Sequence, residues 1–131
     1  LAQLENIEQH IADRRKVAGW YIEEFAGMED FLTPQKVTKG AESVWWMFSI
    51  KLTNNSKVNR DELMRKLAED CIETRPLFYP MHIMPIYEDR NANCPVSELV
   101  SSQGLNLPTH AQLTREDVNS ICDRIKRHIK K

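Results

Sequence analysis

"SVWWMFSIKL", residues 43–52, decides how the rest of the chain is read. Val44, Trp46, Phe48, Ile50 and Leu52 alternate with Trp45, Met47, Ser49 and Lys51. A period of two sends successive side chains to opposite faces, so the stretch predicts a strand with one wholly apolar face. That reading puts Trp46 in the core. It leaves Trp45 on the mixed face, where its ring can meet another domain. A one-faced apolar strand needs helices to cover it, and the flanking segments supply them.

Upstream, "LAQLENIEQHIADRRKVAGWYIEEF" (1–25) has helical spacing at Leu1, Leu4, Ile7, Ile11, Ala18, Ile22 and Phe25. No methionine and no capping residue precede this pattern, which suggests a helix that begins earlier and a chain cut from the C-terminal side of a longer protein. "AGMEDFLTPQKVTKGAES" (26–43) reads as a loop.

Downstream, "TNNSK" is a polar turn. Asn59 and Glu62 have capping-box spacing and open a helix through Leu63 and Leu67 to about Asp70. "CIETR" (71–75) reads as a second short strand stopped by Pro76. Pro95 suits the first position of a helix, "PVSELVSSQ", closed by Gly104 as its C-cap. "LNLP" is a brief extended piece. Thr114 with Asp117 caps a last helix carrying Val118, Ile121, Ile125 and Ile129 on one face. This order predicts an α+β fold, a small sheet packed by helices, in one domain spanning residues 1–131.

Composition narrows the function classes. The 131 residues carry 18 basic and 19 acidic side chains, spread so evenly that no field for nucleic acid is expected. The basic "RIKRHIKK" is read instead as complementing a helix C-terminus. No apolar run approaches the ~20 residues that span a bilayer, and no basic-then-apolar leader opens the chain, so a cytoplasmic protein without membrane contact is expected. Cys71, Cys94 and Cys122 are odd in number and far apart, which argues against a disulfide framework or a zinc site. His10, His82, His110 and His128 are scattered, and no nucleophile–base or metal motif is present. A complete enzyme within these residues is not expected.

One segment concentrates binding chemistry: "RPLFYPMHIMP" (75–85). Pro76, Pro80 and Pro85 exclude helix and strand over much of it, so it is read as an irregular surface loop. Arg75 offers a planar fork for phosphate or carboxylate, while Tyr79 and His82 offer hydrogen bonds from rigid rings. Stiffened by proline, these three are the candidate contacts to a ligand. For His82 alone, the competing reading is a satisfied structural histidine.

"LAQLENIEQHIADRRKVAGWY", "SVWWMFSIKL", "RDELMRKLAEDCIETRPLFYPMHIMPIY" and "CPVSELVSSQGLNLPTHAQLTREDVNSIC" together resemble the C-terminal part of the DegT/DnrJ-type nucleotide-sugar aminotransferases. The resemblance covers essentially the whole chain, and within the family "SVWWMFSI" and "ETRPLFYPMH" look most like the perosamine synthases. It implies the small domain of the aspartate aminotransferase fold (fold type I), part of a tight homodimer. The implied parent is a pyridoxal-phosphate (PLP) transaminase. It would pass an amino group, with glutamate as the implied donor, to a nucleotide-linked 4-keto-6-deoxy sugar.

Two departures stand out. Cys71 occupies a position where the family usually has glycine. The family's large domain, which holds the Schiff-base lysine and the cofactor's phosphate, has no counterpart here. Lys36, Lys39, Lys51 and Lys57 match no such lysine, so no bound cofactor and no transamination are expected of this chain alone. By resemblance the "RPLFYPMH" loop lines the approach of the nucleotide-sugar, with Arg75, Tyr79 and His82 touching its phosphates and sugar. The rival from another class is a stand-alone module for dimerisation or regulation; a small sugar-nucleotide binding protein ranks below it. An enzyme piece should expose apolar surface left by its missing domain, whereas an evolved module should be polar there.

Overall fold

A computed structural model describes residues 2–89 and 91–130. Leu1, which opens the first helical pattern, and Lys131 of the basic tail lie outside the described residues.

The first helical pattern forms two pieces, α1 (Ala2–Glu5) and α2 (Ile7–Glu24), separated at Asn6, whose φ of -111° and ψ of 16° leave helical space. The buried face of α2 differs from the expected one. Val17, Ala18, Tyr21 and Phe25 are buried, whereas Leu4, Ile7 and Ile22 are exposed. The 3.6-residue period was visible, but several residues fitted it, and packing selected the aromatic stripe.

The segment expected to be a loop hides strand β1 (Leu32–Pro34), paired antiparallel with β2 (Phe48–Leu52) so that Leu32 faces Leu52. Three residues are too few to show a period, and Pro34 is tolerated because β1 is an edge strand. Within β2, Phe48, Ile50 and Leu52 are buried and alternate with half-buried Ser49 and Lys51. Upstream the alternation fails. Trp45 has φ 50°, and a residue in the left-handed region turns the chain out of strand geometry. Trp46 is consequently 61 % exposed, and Trp45 packs on the core with its ring 5.5 Å from Phe48. The two tryptophans thus exchange the places expected for them.

The expected cap of α3 (Arg60–Glu69) is present: Asn59 accepts a hydrogen bond from the Glu62 N–H at 2.9 Å. The helix ends in a Schellman turn. The Cys71 N–H donates to Ala68 O (3.0 Å) and the Ile72 N–H to Leu67 O (2.8 Å), with Cys71 at φ 61°. Leu67 and Ile72 are both buried at this turn. Because this turn uses Cys71 and Ile72, the strand expected over 71–75 shrinks to β3 (Arg75–Pro76).

Helix α4 (Pro95–Gln103) starts on Pro95 as expected. Gly104 does not take a left-handed cap. At φ -98° and ψ 148° it is extended and opens β4 (Gly104–Leu107). In α5 (Arg115–Lys130) the caps are reciprocal: Thr114 Oγ1 accepts from the Asp117 N–H at 3.2 Å, and Asp117 Oδ2 accepts from the Thr114 N–H at 2.9 Å. Val118, Ile121, Ile125 and Ile129 are buried as their spacing predicts, joined by Cys122. Each such side chain contributes about 1.5–3 kcal/mol on burial.

Among the described residues the sheet runs β1-β2-β4-β3, antiparallel throughout, with Phe48 opposite Leu107 and Arg75 opposite Asn106. The core lies where this sheet meets α2, α3 and α5. Tyr21 stacks on Phe48 with ring centroids 4.8 Å apart, and its hydroxyl donates to Pro108 O at 3.0 Å. Burial holds that hydroxyl neutral, its pKa raised far above the usual tyrosine range. Across the seam between α2 and α5, Lys126 meets Glu24 at 2.8 Å and Arg115 pairs with Glu23. No helix of the described residues is long and apolar enough to cross a membrane.

Candidate functional site

The proline-rich segment leaves β3 at Pro76 and is braced by more than its prolines. Met81–Ile83 form one 3-10 turn, with the Ile83 N–H donating to Pro80 O and the Met84 N–H to Met81 O. The Tyr87 N–H donates to Met84 O (2.8 Å), and the Asp89 N–H closes back on His82 O (3.0 Å). These bonds tie the segment to itself, and most of its large side chains face outward. Phe78, Tyr79, Met81, Ile83, Ile86 and Tyr87 are all exposed.

The three candidate contacts fare differently. Arg75 projects from the edge of the sheet, exposed, and pairs with Glu73. Tyr79 is exposed with its ring unburied. His82 alone is drawn in: its side chain is 13 % exposed and its Nε2 lies 2.8 Å from Oε1 of Glu98 on α4. Nothing in the spacing of His82 and Glu98 marks them as neighbours. The contact exists because α4 packs beside the loop.

Arg75 also borders an open groove of about 640 Å³, lined by Trp46, Asn106, His110 and Arg124 among others. Tyr79 and His82 do not line it. Trp46 connects the two regions, since its ring stacks on Phe78 at 6.5 Å and the residue also lines the groove. Sequence reasoning placed Trp46 in the core, so this role was missed. Within the groove wall Asn106, buried at the sheet centre, accepts from the Ser49 hydroxyl (2.6 Å) and donates to Pro76 O (3.3 Å). At the end of α3, Asp70 accepts from His128 Nε2 (2.9 Å) and Arg124 Nη1 (2.8 Å). The His128 hydrogen bond, aided by the Arg124 charge, holds the Asp70 carboxyl below the usual carboxylate range.

This fold recurs in solved aminotransferases. An aminotransferase of the DegT DnrJ EryC1 StrS type from Brucella abortus superposes with a TM-score of 0.82 at 27 % identity, over 100 % of this chain and 34 % of that one. S. venezuelae DesV gives 0.87 at 22 % identity, over 99 % and 34 %. The architecture is thus that of the small α+β domain of fold type I aminotransferases, as the sequence resemblance implied.

The chain belongs to the DegT/DnrJ/EryC1/StrS aminotransferase family, whose pattern matches residues 1–126. Its relatives include the GDP-perosamine synthases of Caulobacter vibrioides (38 % identical over 92 % of this chain), Escherichia coli O157:H7 (37 % over 95 %) and Vibrio cholerae (36 % over 98 %). The matched regions are 33 %, 33 % and 35 % of those proteins, so this chain spans about a third of their length.

The family is PLP-dependent. A lysine that forms a Schiff base with this cofactor needs a desolvated setting, and none of the described lysines is buried. Lys66 and Lys126 are taken by Glu62 and Glu24, and Lys16 and Lys130 lie over the Trp20 and Phe31 rings. The residues present here do not fit that group.

Proposed function

We propose that residues 1–131 are the C-terminal small domain of a PLP-dependent nucleotide-sugar aminotransferase. The whole enzyme transfers an amino group from an amino-acid donor, glutamate, to a GDP-linked 4-keto-6-deoxy sugar. The observation that carries this reading is 36–38 % identity to three GDP-perosamine synthases along 92–98 % of the chain. The cofactor, held by the rest of the protein, supplies the electron sink for amino transfer. This chain supplies binding: Arg75, Tyr79 and His82 meet the phosphates and sugar of the substrate.

The exposed apolar side chains favour a domain within a larger enzyme over a free-standing module. Phe78, Met81, Ile83 and Ile86 on the loop, with Val96 and Leu99 on α4, are each about half exposed or more. A stand-alone module would keep such a surface polar. The large domain and a second subunit of a cytoplasmic homodimer cover this surface in our reading.

The test is kinetic, on the full-length enzyme. Arg75→Ala and His82→Ala should each raise the KM for the GDP-sugar about tenfold, the usual scale for a lost charge-assisted contact. If both variants keep the native KM and turnover, the loop is not the substrate's lip.

A further inference from the structure

His82 is held where its loop neighbours are not. Tyr79 and Met81 are 59 % and 62 % exposed, but the His82 side chain is turned in against Glu98. Glu98 lies in the first turn of α4, where a negative charge is already favoured by the helix dipole. The far end of α4 is anchored separately. Arg60, buried at 9 % exposure, donates Nη1 to Ser101 O (3.1 Å) and Gly104 O (3.4 Å). Ser101 O is among the carbonyls that the end of a helix leaves without intrahelical partners. Pinned there, α4 presents Glu98 to the loop from a fixed frame.

We propose that Glu98 is the positioning residue for His82. By accepting from Nε2–H it orients the ring and leaves Nδ1 to face the ligand, the arrangement by which a carboxylate commonly sets an imidazole's tautomer. Nδ1, left as the acceptor, then takes a hydrogen bond from a hydroxyl of the nucleotide-sugar. This proposal rests on the reading of the loop as the substrate's lip, and it adds a residue from a different element to that site.

The experiment compares His82→Ala, Glu98→Ala, Glu98→Gln and the His82→Ala/Glu98→Ala double variant in the full-length enzyme. Alanine is favourable at a half-exposed helix position, so the fold should survive. A role confined to the helix dipole would lower Tm slightly and leave KM alone. We expect Glu98→Ala to raise the KM for the GDP-sugar several-fold, toward the roughly tenfold rise expected for His82→Ala, with kcat within twofold. The double variant should be no worse than His82→Ala. Glu98→Gln, whose amide oxygen still accepts from Nε2–H, should recover most of the native KM. A raised KM in His82→Ala beside a native KM in Glu98→Ala overturns the positioning role and spares the loop. Full additivity in the double variant overturns it as well. A native KM in His82→Ala overturns the loop reading itself.

Discussion

Gly104 and Leu77 touch at a distance that excludes any side chain: a methyl group on Gly104 would stand 2.0 Å from Leu77 Cδ1 and 2.7 Å from the carbonyl oxygen of Val100. Leucine can swing away, but the backbone of α4 cannot. Gly104→Ala should therefore destabilise the domain by about 1–3 kcal/mol, the cost of overpacking. Thermal melts read the loss. A native Tm would show that the β4 start can shift freely.

Cys71 holds a left-handed conformation, φ 61°, at the C-terminal turn of α3. A side chain there opposes the backbone geometry by about 1–2 kcal/mol, partly returned by its smaller entropy when unfolded. Cys71→Gly should stabilise by about 0.5–1 kcal/mol, seen as a higher urea midpoint at unchanged slope. A lower midpoint would mean the turn depends on the thiol.

Asp70 gives the fold a defined acid sensitivity. Its folded pKa is depressed, first by the His128 hydrogen bond and then by Arg124. A depressed carboxylate contributes stability above its unfolded pKa of about 3.9 and loses it as pH falls through the folded value. Asp117, lowered by its Thr114 cap, acts in the same direction. Asp70→Asn should thus cost stability at pH 7 and much less at pH 2, flattening the acid limb of a plot of urea midpoint against pH. An equal loss at both pH values would remove electrostatics as the cause.

The three cysteines should separate by reactivity. Burial pushes the Cys122 thiol up to about 12, whereas Cys71 and Cys94 are exposed. Since the thiolate is the nucleophile, a disulfide reagent at pH 8 should label Cys71 and Cys94 quickly in the native protein and Cys122 only after urea. Rapid labelling of Cys122 would reveal opening of the α2–α5 seam.

What the sequence determined by itself was local and periodic. The buried face of α5, the caps at Asn59 and Thr114, and the start of α4 at Pro95 depend on residues within one or two turns, so spacing was enough to find them. The alternation of Phe48, Ile50 and Leu52 was legible for the same reason. Arg75, Tyr79 and His82 stood out as candidates because proline, arginine and aromatic chemistry is visible in one short segment. Tertiary structure decided the rest. The left-handed φ at Trp45 exchanged two adjacent tryptophans between core and surface. Strand β1 exists only because β2 offers it an edge, and Gly104 has Leu77 packed against it from 27 positions away. The pairing of His82 with Glu98, on which the proposed positioning of His82 rests, also comes from packing between separate elements. Contacts of this kind leave no mark in local spacing, because what selects them is the space between elements that have already folded.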